Sequence, residues 1–184
     1  MECGLAVDGV IGHSFGQLTA FCISGCLSLA DALTLVVERA FLMQKYWGDE
    51  RGAMLSMQTD RGTVEQVLQS LKTQDSDFYA EIACYNGPRN YVVGVSSESV
   101  NVLEQHVSET PSLRGSVRTK RLRVTHGFHS RFTEPILARL TAVAKQLDWK
   151  RPTLHLEICD EFGGVTEPDF EIIAQCTKLS LIHI

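Results

Sequence analysis

Apolar residues along this 184-residue chain change period several times, and each change marks an element. Residues 5 to 11 (LAVDGVI) form a short apolar run that ends at Gly12, the pattern of a strand entering a turn. From Phe15 the apolar positions Leu18, Phe21 and Cys22 recur at helical spacing, and Gly25 predicts the stop. A second helix is predicted over SLADALTLVVERAFLMQ. Ser28 serves as N-cap, and Asp31 lies in the first turn, where the helix dipole favours negative charge. Its Leu29, Ala32, Leu33, Val36, Val37, Ala40 and Phe41 share one side of the helix and are expected to face the core.

The middle of the chain follows another rhythm. GAMLSM (Gly52 to Met57) reads as a strand, and Val64, Val67, Leu68 and Leu71 keep helical register after it. FYAEIAC and NYVVGV read as hairpin strands joined by the turn NGPR (Asn86 to Arg89). Val100, Leu103 and Val107 mark a further helix, and KRLRV a last strand. This β-α-β-β-α-β order is ferredoxin-like. The predicted fold class is therefore α/β, with residues 51–124 as a ferredoxin-like subdomain inserted into an α/β body formed by 1–50 and 125–184. In the returning segment, Ile136, Leu137, Leu140, Val143, Ala144 and Leu147 predict a helix opened by Thr133 and Pro135. No period is visible after Gly163.

Composition narrows the function classes. A hydrophobic content of 44% and a charged content of 21% are those of a globular protein. A net charge of -5 argues against a nucleic-acid binder. No apolar run approaches the roughly 18 residues of a membrane span, and no signal-peptide pattern is visible. The six cysteines lack paired C-x-x-C spacing, which fits a reduced, cytoplasmic chain; Cys22 and Cys26, one helical turn apart, read as packing residues and not as metal ligands.

Candidate chemistry concentrates at GVIGHSFGQ (Gly9 to Gln17). Gly12, Ser14 and Gly16 form G-x-S-x-G, in which a sharp strand-to-helix turn exposes a serine hydroxyl. The Phe15 N–H at the new helix N-terminus is placed to face a developing oxyanion. Such a serine needs a base. Of the six histidines, His13 adjoins the elbow and is expected to shape it, while His106, His155 and His183 lie away from any strand-end loop. His126 and His129 remain, in a loop between a strand and a helix. Arg39 falls about 100° from the centre of its helix's apolar stripe. It borders the buried face, either snorkelling to water or presenting its planar fork to a carboxylate.

These residues carry a family resemblance. GHSFGQLTA, RAFLMQKYWG and VTHGFHSRFTEPIL, in collinear order over roughly residues 5–178, resemble the acyltransferase domain of fungal iterative polyketide synthases. Malonyl-CoA:acyl-carrier-protein transacylases belong to the same family. The resemblance implies a hydrolase-like parallel-sheet body and a Ser-His dyad working by ping-pong acyl transfer. By position, Ser14 is the acylated nucleophile, His129 the base, Phe15 an oxyanion-hole amide, and Arg39 the clamp on a malonyl carboxylate. His13 adjoins the substrate site. His126, Gly127 and Phe128 fall at the family's extender-selectivity position, where H-G-F-H is close to the malonyl form. The implied substrates are malonyl-CoA and the phosphopantetheine thiol of an acyl carrier protein, with neighbouring synthase domains as partners and no bound cofactor or metal. The family's upstream Gly-Gln-Gly oxyanion segment is not in this sequence. The resemblance therefore implies a piece of a larger multidomain enzyme, truncated at both ends, whose activity in isolation is expected to be impaired.

Two other readings share some of these features. An α/β-hydrolase of the serine esterase or thioesterase type has the same elbow and would need Asp60, Asp75 or Asp77 as its acid. A truncated, inactive docking module would use the basic cluster Arg114, Arg118, Lys120, Arg121 and Arg123 to meet an acidic carrier protein.

Overall fold

The computed structural model describes residues 6–157, 170–178 and 180–181. Cys3, Cys159 and His183 lie outside the described residues. The chain divides into two compact units, one built from Met1–Tyr46 and Ile136–Leu181 and the other centred on Trp47–Pro135. It is a mixed α/β fold with parallel and antiparallel strand pairs.

In the first unit, strand β1 (Gly9–Ile11) pairs in parallel with a strand at His155–Glu157, with Val10 opposite Leu156. Helix α1 (Phe15–Ile23) follows the elbow and buries Gln17, Leu18, Ala20 and Phe21. It stops where predicted, because Gly25 takes a left-handed φ of 81°. The freed Ser24 carbonyl accepts from both the backbone N–H and the hydroxyl of Thr153, which ties this corner to the segment before the second strand. Helix α2 (Leu29–Tyr46) has the predicted cap: the Ser28 hydroxyl accepts the Asp31 N–H at 3.0 Å and donates to its carboxylate at 2.7 Å.

The buried side of α2 is not the one its apolar stripe predicts. Leu29, Leu33, Val37 and Phe41 are 67%, 54%, 62% and 48% exposed, whereas Ala32, Leu35 and Leu42 are buried. Positions 32, 35, 39 and 42 form one line along the helix, so Arg39 lies in the buried line instead of at its border. The helix carries two apolar lines, and its own sequence cannot rank them.

The second unit is built from β2 (Ala53–Gln58), α3 (Arg61–Gln74), β3 (Ala80–Tyr85), β4 (Tyr91–Val95), α4 (Ser99–Glu109) and β5 (Arg118–Arg121). The spatial order β5-β2-β4-β3, with antiparallel neighbours throughout, is the ferredoxin-like arrangement that the periods predicted. On one sheet face Leu55, Met57, Val93 and Val95 pack with Val64, Leu68, Val100 and Leu103 of the two helices. On the other, Met54, Ala83, Cys84 and Val92 form a separate cluster that takes in Leu122 and Phe128. β4 is buried at every position because both its faces are covered, which is why YVVGV reads as a continuous apolar run.

Beyond the sheet, α5 (Glu134–Ala144) buries Ile136, Leu140 and Ala144 after a single 3-10 turn at Arg131–Thr133. Past the strand at His155–Glu157 (β6), a seven-residue helix α6 (Ile172–Lys178) occupies sequence in which no period is visible. It buries Ile172, Ile173 and Thr177, and two turns are too short to register as a repeat.

Candidate active site

The elbow forms as its glycines require, but the two glycines differ. A Cβ on Gly12 would lie 2.1 Å from the Gly16 carbonyl oxygen and 2.5 Å from the Gln17 nitrogen, so no side chain fits there. A Cβ on Gly16 would meet nothing within 4 Å; its backbone is what presses on Gly12. Ser14 takes φ 54° and ψ -118°, a sparsely populated conformation for a residue with a side chain. Such strain costs about 1–3 kcal/mol and concentrates at functional sites. Ser14 occupies the N-cap position of α1 with no side-chain capping bond, so its hydroxyl is not committed to holding the helix. The Phe15 N–H belongs to the first helical turn, whose amides lack intrahelical acceptors. His13 is exposed, and partial desolvation of its ring lowers its pKa below the usual imidazole value.

Gln17, which the sequence marks only as following the elbow, is 2% exposed, and neither atom of its carboxamide has a hydrogen-bond partner among the described residues. A glutamate in the same place would have to bury a charge, which is far more costly than burying a neutral amide.

Arg39 is half-buried on α2, and desolvation lowers its pKa, although a guanidinium remains charged at any physiological pH. No carboxylate pairs with it among the described residues. A half-buried cation without a counter-charge is destabilising and calls for an anionic partner.

The second unit holds His126, Gly127, Phe128 and His129, on a loop laid over the sheet face opposite its helices. Glycines permit the approach. A Cβ on Gly94 of β4 would come within 2.8 Å of the Ser130 Cβ, and one on Gly52 or Gly127 within 2.5 or 2.7 Å of the Phe132 ring. The loop is fixed by Gly127 N–H donating to the Arg51 carbonyl at 2.7 Å, Ser130 Oγ donating to the Gly127 carbonyl at 2.6 Å, and Arg131 N–H donating to Glu81 at 2.6 Å. Within that frame His129 is 5% exposed and takes a left-handed φ of 56°, the other positive φ on a non-glycine residue among those described. The frame therefore stabilises a conformation that an isolated histidine avoids.

His126 Nδ1 lies 2.7 Å from the Thr125 hydroxyl, and burial, reinforced by the Arg51 guanidinium, holds its pKa below the ordinary value. The unfolded chain therefore takes up this proton at higher pH than the folded one. Stability is expected to fall as pH drops below about 6.5, with the partly desolvated ring of His13 adding to the same slope. Thermal melts between pH 7 and 5 test this, with His126→Gln expected to flatten the pH dependence whatever it does to the melting temperature at neutral pH.

The sequence profile of the acyl transferase domain family matches residues 2–174. The chain belongs to this family. The acyl transferase domain is 44% identical over 178 residues to methylphloroacetophenone synthase of Cladonia uncialis, covering 97% of this chain and 7% of that enzyme. It is also 44% identical over 163 residues to the non-reducing polyketide synthase adrD of Penicillium rubens, covering 89% and 6% respectively. Among solved structures, the acyltransferase domain from the second module of the salinomycin polyketide synthase matches with a TM-score of 0.81 and 30% identity. That match covers 97% of this chain and 40% of the other.

Several of the features that served the other readings are otherwise engaged in this acyl transferase domain. Asp60 caps α3, accepting from the Thr63 N–H and hydroxyl, and Asp75 accepts the Asp77 N–H in a turn. In the basic cluster, Arg121 binds Asn101 and Glu104, and Arg114 donates to the Ser108 carbonyl. No helix among the described residues is long and apolar enough to cross a membrane.

Proposed function

We propose that this domain transfers a malonyl group from malonyl-CoA, through an ester on Ser14, to the phosphopantetheine thiol of an acyl carrier protein in polyketide assembly. Arg39 is the observation that carries the reading. It is a half-buried cation with no described carboxylate beside it, on α2, the second helix after the elbow, and it suits a substrate with a free carboxylate. The strained elbow and the strained, braced histidine loop support the same reading, as both are backbone arrangements that stability alone would not favour.

In this mechanism His129 removes the Ser14 proton as Oγ attacks the thioester carbonyl, and the Phe15 N–H helps hold the oxyanion. The oxyanion collapses, the C–S bond breaks, and the CoA sulfur takes the proton from His129. A carrier-protein thiol then gives its proton to His129 and attacks the ester, and Ser14 recovers the proton as it leaves. Arg39 holds the malonyl carboxylate bidentately through both halves. His126, Gly127 and Phe128 face the extender unit, and His13 flanks it. CoA thioesters and the free thiols of Cys22 and Cys26 are consistent with a cytoplasmic setting among other synthase domains. The residues 51–124 serve as a ferredoxin-like subdomain in the body formed by 1–50 and 125–184.

Incubation with malonyl-CoA followed by peptide mass mapping is the test. A malonyl ester on Ser14, discharged on adding a phosphopantetheinylated carrier protein, is the expected result. Release of free malonate as the main product would instead indicate a hydrolase, and an adduct on another residue would remove Ser14 from the mechanism.

A further inference from the structure

Trp47 follows directly on α2, within the RAFLMQKYWG segment, and nothing in the sequence assigns it a role of its own. In the second unit it is 4% exposed and touches both ring side chains of the H-G-F segment. Its indole meets the His126 ring edge-on at 4.6 Å between centroids and the Phe128 ring edge-on at 5.6 Å, while those two rings lie 5.8 Å apart. The indole N–H also donates to the Arg51 carbonyl at 3.3 Å, the same oxygen that accepts the Gly127 N–H. One carbonyl thus joins the indole to the backbone of the tripeptide whose two rings the indole supports.

We propose that Trp47 is a specificity-determining residue of the acyl transfer site, acting from behind His126 and Phe128 to set how far their rings project toward the acyl group. The proposal rests on the reading above, in which those rings meet the extender unit. Neither ring can retreat while the indole fills the space behind it, because close-packed side chains move only into vacated volume. A smaller side chain at 47 lets Phe128 and His126 withdraw, and the room gained admits a substituent on the α-carbon of malonyl. A pocket discriminates against one extra methyl by roughly 10- to 200-fold, which bounds what this support can supply.

The experiment is a competition between malonyl-CoA and methylmalonyl-CoA for Ser14, read as the ratio of the two esters by peptide mass. Trp47→Leu is expected to raise the methylmalonyl-to-malonyl ratio about tenfold, and Trp47→Phe about threefold, since the smaller ring also loses the N–H to Arg51. In a Phe128→Leu background the effect of Trp47→Leu should shrink to the part that His126 alone transmits, because one of the two rings through which it acts is gone. An unchanged ratio in a Trp47 variant that still loads malonyl would overturn the proposal, as would an equal shift with and without Phe128. If Trp47→Leu does not fold, Trp47→Phe alone decides, and an unchanged ratio there is equally fatal. A parent protein that loads neither thioester on Ser14 would instead sink the underlying acyl-transfer reading.

Discussion

Replacing Ser14 by alanine is expected to abolish formation of the malonyl ester while leaving the fold intact. The chemistry requires the hydroxyl outright, and loss of a nucleophile in a serine enzyme removes about six orders of magnitude in rate. The start of α1 does not require it, because Ser14 makes no side-chain capping bond there. Its left-handed φ of 54° disfavours alanine about as much as serine, so Ser14→Ala should melt close to the parent. Ser14→Gly, free of the Cβ restriction, is expected to be equally inactive and about 1 kcal/mol more stable. Intact-mass measurement after malonyl-CoA treatment, with thermal melts alongside, checks both. Retention of a malonyl adduct in Ser14→Ala would be decisive against the role assigned to this residue.

Replacing Arg39 by alanine should shift the acyl preference, with little effect on stability. Losing a charge-assisted bidentate contact to a carboxylate costs about 3 kcal/mol, which corresponds to roughly a hundredfold loss in malonyl loading. Acetyl-CoA has no carboxylate to lose, so its loading should change by no more than a few-fold. Arg39→Lys should recover only part of the malonyl rate, since a point charge does not reproduce the planar fork. Because the guanidinium is half-buried without a carboxylate partner among the described residues, Arg39→Ala is expected to melt at or above the parent temperature. Equal losses for malonyl and acetyl would mean that Arg39 supports the helix and not the substrate.

The elbow was legible because its constraint is local: Gly12 faces the backbone of Gly16 and Gln17, four and five residues on, and glycine at that spacing is written directly in the chain. The helix cap at Ser28 and Asp31 is equally local, and so are the strand and helix periods that gave the ferredoxin-like order. Gly52 and Gly94 were not legible. They are needed because Phe132 and Ser130 press on them, and those neighbours lie 80 and 36 residues away (132 − 52 and 130 − 94). Nor could the sequence show Trp47 behind His126 and Phe128, since the residues that meet there come from segments some 80 positions apart (126 − 47).

By itself, then, the amino-acid order determined which elements form and marked the Ser14 elbow and Arg39 as residues to watch, because periodicity, capping and glycine spacing act within one or two turns of chain, whereas the H-G-F-H segment stood out as a unit only through its family resemblance. Tertiary structure alone decided which line of α2 is buried, and with it that Arg39 lies among Ala32, Leu35 and Leu42 and not at their edge. It also decided that His129 is held in a left-handed backbone conformation. Both outcomes depend on which distant surface arrives to cover a face or brace a loop, and no local pattern encodes the identity of that neighbour.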